Sequence, residues 1–166
     1  MSIEKDIKQN HFKSAYSKAV VNIVYTNSWL TSLQMEIFKP FDLTLQQYNV
    51  LRILRGHYPT PITVIAIIER MLDKMSNASR LVDKLLAKEL VERRVCPDDR
   101  RAVDVLITQK GLALLEEIDI LQHKWEEHLH GLSENEALLL SDLLDKLREP
   151  KSANSQLQEL TESINN

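Results

Sequence analysis

Cysteine occurs once in the 166 residues, at Cys96, which leaves no intrachain disulfide framework and no cysteine-based zinc site. Glycine is nearly as scarce, with three in the whole chain, and proline numbers five. So few breakers favour long helices over a turn-rich sandwich or barrel. No stretch approaches the roughly 20 consecutive apolar residues of a membrane span. The opening Met-Ser-Ile-Glu-Lys-Asp also lacks a signal peptide's apolar core. The expectation is a soluble, cytoplasmic protein with no membrane partner. Catalytic signatures are missing as well: there is no nucleophile–base arrangement, no Gly-rich phosphate loop and no metal-ligand motif, so neither an enzyme nor a cofactor is expected. Of the five histidines, His123 and His128 stand five apart and do not share a helix face, which argues against a zinc site.

What the chain does have is apolar content of 43%, enough to bury a real core, and 27% charged residues with 21 Lys+Arg against 24 Asp+Glu, a net charge of -3. From Ile3 to about Leu33 apolar residues recur at three- and four-residue spacing, which predicts one long amphipathic helix, with a break near Asn10 and His11. Lys39-Pro40 ends it. Thr44 with Gln47 forms a capping box for a second helix that runs to about Gly56. The run Val64–Ile68 is open to two readings, a buried strand or a short core helix, because periodicity does not separate them at this length. From Ser76 to Lys88, Ala78, Leu81, Val82, Leu85 and Leu86 match the one-faced helix template, with Ser76 or Asn77 as N-cap. Val91–Val95 and Val103–Ile107 predict two strands joined by the charged loop Cys96-Pro-Asp-Asp-Arg-Arg. Helical spacing returns from Leu112 to Gly131, and Ser133 with Glu136 caps a leucine-rich helix that stops at Pro150.

A short helix, a connector, a second helix and a two-stranded hairpin follow one another in the order of a winged helix-turn-helix. Such a helix, about 10–12 Å across, fits the DNA major groove of about 12 Å, while a hairpin loop reaches the adjacent minor groove. Burying the apolar stripe of 76–88 leaves Asn77, Ser79, Arg80, Asp83, Lys84 and Lys88 outward, with Arg80, Lys84 and Lys88 along one face. Small polar residues followed by cations suit base edges and phosphates. At the hairpin tip, an exposed arginine of Asp98-Asp99-Arg100-Arg101 suits a narrow minor groove, with a carboxylate to hold its guanidinium.

The run Ser76-Asn77-Ala78-Ser79-Arg80-Leu81-Val82-Asp83-Lys84-Leu85, then Leu90-Val91-Glu92-Arg93, Asp99-Arg100-Arg101-Ala102-Val103 and Thr108-Gln109-Lys110-Gly111, resembles the MarR family of transcriptional regulators. The resemblance covers roughly residues 44 to 120. It implies a homodimer with interlocking terminal helices, double-stranded DNA with a pseudo-palindromic operator as partner, and release by a small phenolic or anionic ligand. Carried over by position, Ser76, Asn77, Ser79, Arg80 and Lys84 face the major groove, Arg101 enters the minor groove and Asp99 orients it. Three departures are visible: Leu72 and Asp73 replace a glycine-plus-apolar turn, Glu89 replaces the usual glycine after the recognition helix, and Ile107 stands where leucine is commoner.

Charge resolves by segment. Residues 60 to 111 hold ten basic and eight acidic side chains, a net of +2, and the remainder 11 and 16, a net of -5. The terminal helices are too long and too leucine-rich to bury their stripes on a lobe of about fifty residues, which again predicts a dimer. The expected fold is mainly α, a winged helix-turn-helix with long N- and C-terminal dimerisation helices and a two-stranded wing. Its parts are an N-terminal helix over 1–40, a DNA-binding lobe over 41–111, C-terminal helices over 112–150 and a polar tail over 151–166. The expected function is sequence-specific transcriptional regulation, as a repressor. Tyr25 and Trp29 on the first helix are candidates for a ligand pocket, with core or dimer packing as the alternative. A protein-interaction module and a redox or metal sensor using Cys96 or the histidines are the rival functions.

Overall fold

The computed structural model describes residues 2–95, 103–126 and 129–149. The N-terminal periodicity belongs to two helices, α1 (Ile3–Asp6) and α2 (Ala15–Phe38), and Asn10 and His11 lie in the gap. Lys8 turns the chain at positive φ, and Ser14 starts the second helix by accepting the Ser17 amide on its hydroxyl. After α2 a 3-10 turn, Lys39–Phe41, carries Pro40, and Asp42 takes the left-handed conformation. The Thr44–Gln47 capping box opens α3 (Leu45–His57), and it satisfies the buried amide of Gln47.

The ambiguous apolar run Val64–Ile68 is helical, forming most of α4 (Val64–Arg70), and a two-residue strand, β1 (Ile62–Thr63), stands directly before it. The Thr63 hydroxyl accepts the Ala66 amide and so starts the helix, which turns Ile67 into the core. α5 (Ala78–Ala87) follows, then β2 (Val91–Val95), β3 (Val103–Ile107) and α6 (Gln109–Glu126). β2 and β3 pair antiparallel from Val91↔Ile107 to Val95↔Val103. The sheet has one strand more than the sequence suggests: β1 pairs with β3 through Ile62↔Val105, giving the order β1-β3-β2. Two residues carry no readable alternation, so this strand is invisible to periodicity. Beyond α6, Ser133 and Glu136 form the expected capping box of α7 (Glu134–Arg148). The hairpin loop 96–102 and the polar tail lie outside the described residues.

The chain divides into two compact units, 1–125 and 126–166. In the first, Phe38 of α2 stacks on Tyr48 of α3, with centroids 4.4 Å apart, beside Leu51, Leu54, Ile67, Met71, Val82 and Leu85. Leu115 and Ile118 bring α6 into the same core. A polar clamp ties α6 to α3: the Arg55 guanidinium donates to both oxygens of Asp119 at 2.6 and 3.3 Å, while Arg52 donates to the Tyr48 hydroxyl and to Gln122.

At the start of α6 the backbone of Gly111 runs so close to β2 and β3 that a Cβ would strike the Leu90 carbonyl oxygen and lie 2.7 Å from Ile107 Cγ1. Both obstacles belong to buried residues, and the nearer one is backbone. Gly111→Ala should therefore destabilise the protein by about 1–3 kcal/mol despite the better helix propensity of alanine. Chemical denaturation checks this, and a stability equal to or above wild type would refute the close approach.

Candidate nucleic-acid interface

An isolated ten-residue helix is marginal in water, so α5 depends on what it buries and on how its ends are closed. Ala78, Val82 and Leu85 are buried on one face. At the N-terminal end the turn from α4 is pinned by side chains. Asn49 of α3 accepts the Leu72 amide at 3.0 Å, and Asp73 accepts the Met75 amide at 3.0 Å and the Ser76 hydroxyl at 2.7 Å. The Ser76 hydroxyl, and then the Met75 amide, hold the Asp73 carboxyl below the usual carboxylate range. Asn77 is the N-cap, accepting the Arg80 amide on Oδ1.

The C-terminal end closes in a Schellman motif, with the Leu90 amide donating to the Leu85 carbonyl and the Glu89 amide to Leu86. Glu89 occupies the left-handed position at φ 61, where glycine is favoured. Its neighbours hold it there: the Thr108 hydroxyl donates to its carbonyl at 2.8 Å, and Lys110 pairs with its carboxylate at 2.8 Å. The departure from the usual glycine thus leaves the turn intact.

With both ends closed and one face buried, Asn77, Ser79, Arg80, Asp83 and Lys84 are exposed together. Among the described residues neither Arg80 nor Lys84 takes part in an ion pair. Two of the expected DNA-facing residues also carry structural duties: Ser76 is half-buried with its hydroxyl given to Asp73, and Asn77 spends its carbonyl oxygen on the cap. Lys88 is a correction. Four-residue spacing sets it in line with Arg80 and Lys84, but its ammonium is half-buried and bound to the carboxylate and carbonyl of Asp42. It ties the C-terminal end of α5 to the turn after α2. Asp83 likewise pairs with Arg93 of β2. Asp99 and Arg101, together with Cys96, lie outside the described residues.

Tyr25 and Trp29 stand on an exposed part of α2, 43% and 44% accessible. An open groove of about 820 Å³ lies further along, walled by Met35, Leu43 and Leu45 and edged by Lys39, Lys84 and Lys88, and neither aromatic lines it. Sequence reasoning missed Asn49 and Asp42. Nothing local marks Asn49, whose bond spans 23 residues, whereas Asp42 follows a proline turn in a position that tolerates left-handed backbone. Among the described residues no group of His, Cys, Asp and Glu is arranged to hold a metal. No helix among them is long and apolar enough to cross a membrane.

The Asp42–Lys88 tie has a titration signature. The Lys88 hydrogen bond, and then its charge, holds the Asp42 carboxyl below its usual value of 3.8. The stabilisation is complete above the usual carboxylate range and is lost as pH falls through the lower folded value. By NMR, Lys88→Met should move the Asp42 midpoint back up towards 3.8; an unchanged midpoint would show that the pair does not form in solution.

A family model described as MarR family matches residues 41–102, which begin at the last residue of the 3-10 turn and take in α3, β1, α4, α5, β2 and the loop residues up to 102. Among curated proteins, the uncharacterized HTH-type transcriptional regulator YhbI of Bacillus subtilis is 33% identical over 81 residues, 48% of this chain, and the match spans about half of that protein, 51%. Two solved structures are similar over nearly the whole length. The MarR transcription factor from Planctomyces limnophilus is 31% identical with a TM-score of 0.63, covering 90% of this chain and 99% of that one. A mutant MarR from E. coli complexed with operator DNA is 26% identical with a TM-score of 0.69, covering 90% and 100%. At 31% identity over 90% of this chain and 99% of the Planctomyces limnophilus protein, the likeness goes beyond a shared helix-turn-helix, and the chain belongs to the MarR family of transcriptional regulators.

Proposed function

We propose that this protein is a dimeric, sequence-specific DNA-binding regulator that acts as a repressor and is released by a small molecule. The observation that carries the reading is the outer face of α5, where Ser79, Arg80 and Lys84 stand exposed on a helix whose inner face and both ends are fixed. Ten residues make a rod of about 15 Å, long enough to lie in the major groove with Ser79 and Arg80 at base edges and Lys84 at a phosphate. Ser76 and Asn77 meet the duplex at the helix N-terminus. On the hairpin loop Arg101 enters the minor groove, oriented by Asp99.

A second copy of the chain is the natural cover for the apolar faces left open. In α2, Tyr16, Val20 and Val24 are exposed, and in α7, Leu139, Leu143 and Leu147. Exposed apolar rows of this kind mark contact surfaces. Two-fold pairing sets two recognition helices about one DNA turn, 34–36 Å, apart and requires a pseudo-palindromic operator. A duplex clamped at both half-sites is closed to other proteins over that stretch, which is repression. The groove is lined by Lys39 and Lys84, by the Lys88–Asp42 pair and by Glu36, with Met35, Leu43 and Leu45 beside them; it is the candidate site for a small amphiphilic ligand, and it touches α5 itself, so an occupant there bears directly on that helix. A protein of the same fold offers a parallel: the DNA binding of BpsR from Bordetella bronchiseptica is regulated by 6-hydroxynicotinic acid.

Light scattering should give a mass of about twice the 19.2 kDa of the chain, and a monomer at micromolar concentration would contradict the dimer. Binding to a sequence selected from random duplex should weaken steeply with salt, by a slope of about 0.9 in log K per neutralised phosphate. Arg80→Ala and Arg101→Ala should each cost about 1–3 kcal/mol of affinity with folding unchanged. A shallow salt dependence with wild-type affinity in both variants would favour a protein-interaction module instead.

A further inference from the structure

Leu72 and Met75 are the most exposed large apolar side chains of the helix-turn-helix, 85% and 94% accessible. They flank the N-terminal end of α5 on a backbone that is not free to fold them inward. The Leu72 amide is held by Asn49, the Met75 amide by Asp73, and Met71 between α4 and the turn is locked in the core. Side chains presented this way, on a pinned turn at the tip of the reading helix, are costly to leave in water and gain by finding an apolar partner.

Their surroundings select the partner. Lys74 caps the last carbonyls of α4, Arg70 bonds the Ala66 carbonyl and pairs with Glu69, and Arg80 and Lys84 stand exposed along α5, while the carboxylate of the turn, Asp73, is taken up by the Ser76 hydroxyl and the Met75 amide. Lysine is depleted where proteins bury apolar surface against each other, whereas an apolar side chain set among cations suits the major groove. There the one apolar feature of a base edge is the C5-methyl of thymine. The face of α4 that carries Ile65 and Ile68 also carries the exposed carboxylate of Glu69, which opposes phosphate and limits the apolar contact to the turn.

We propose that Leu72 and Met75 are specificity-determining residues that read thymine methyl groups at the edge of each half-site. The proposal rests on the reading of α5 as a DNA-binding helix and adds to it a preference that no hydrogen bond supplies.

The test uses the full-length protein and a duplex selected from random sequence. Each thymine of the selected site is replaced in turn by deoxyuridine, which removes only the methyl group. Wild type should lose affinity by about fourfold at one or two thymines of each half-site, the effect of withdrawing one methyl-sized contact. The same replacements should cost Met75→Ala or Leu72→Ala nothing further, since the contact is already gone. A flat uridine scan with wild type overturns the proposal, and so do penalties that persist undiminished in both variants. The wild-type scan decides even if a variant folds poorly. If the wild type enriches no sequence at all, DNA binding itself fails, an outcome distinct from a flat scan on a tightly bound site.

Discussion

The structure depends on the burial of one stripe of a helix too short to stand alone. Ala78, Val82 and Leu85 place the inner face of α5 against α3, α4 and the sheet, and without that contact ten residues of mixed composition would fray. Burial alone does not define the ends, however. Asn77 takes the Arg80 amide in the first turn, and the Leu90 and Glu89 amides take the Leu85 and Leu86 carbonyls in the last, so both ends of the helix are marked by specific bonds. The exposed face is then a consequence of the buried one: once three positions are fixed inward, the angular place of Ser79, Arg80 and Lys84 is set.

The same economy runs through the rest of the lobe. Charged side chains that sequence spacing would offer to a ligand are often committed to the fold. Lys88 ties α5 to Asp42, Arg93 meets Asp83, Lys110 supports the left-handed Glu89, and Arg55 and Arg52 bind α3 to Asp119 and Gln122 of α6. These are mostly exposed or half-exposed pairs and add little to stability one by one. Their effect is positional. Among them, the Lys88–Asp42 pair joins the end of α5 to the turn after α2, and both residues line the groove.

Much of this was legible in the residues. Period 3.6 over 78–86, capping boxes at Thr44 and Ser133, and β-branched runs at 91–95 and 103–107 all correspond to elements that form. What escaped was non-local. The two residues of β1 are too few to show alternation, and their pairing with Val105 spans more than forty residues. Lys88 looked like a third outward cation because spacing places a side chain on a face but does not show which neighbour closes over it. The bond from Asn49 to Leu72 and the left-handed Glu89 belong to the same class, being set by groups brought near only after folding. Tyr25 and Trp29 show the converse, as aromatic identity suggested a pocket whereas the groove is lined by Met35 at the end of α2, by Leu43 and Leu45 beyond it and by polar side chains, with neither aromatic among them.

The central claim is that α5 is a preformed reading head, rigid before any duplex arrives. Amide hydrogen exchange with and without a selected DNA duplex tests it in one measurement. The account predicts that the amides of residues 81–87 are already well protected in the free protein, and that DNA adds protection mainly over 72–80 and the hairpin. Free-state exchange of α5 at the rate of an unstructured chain, with protection appearing only on binding, would contradict it.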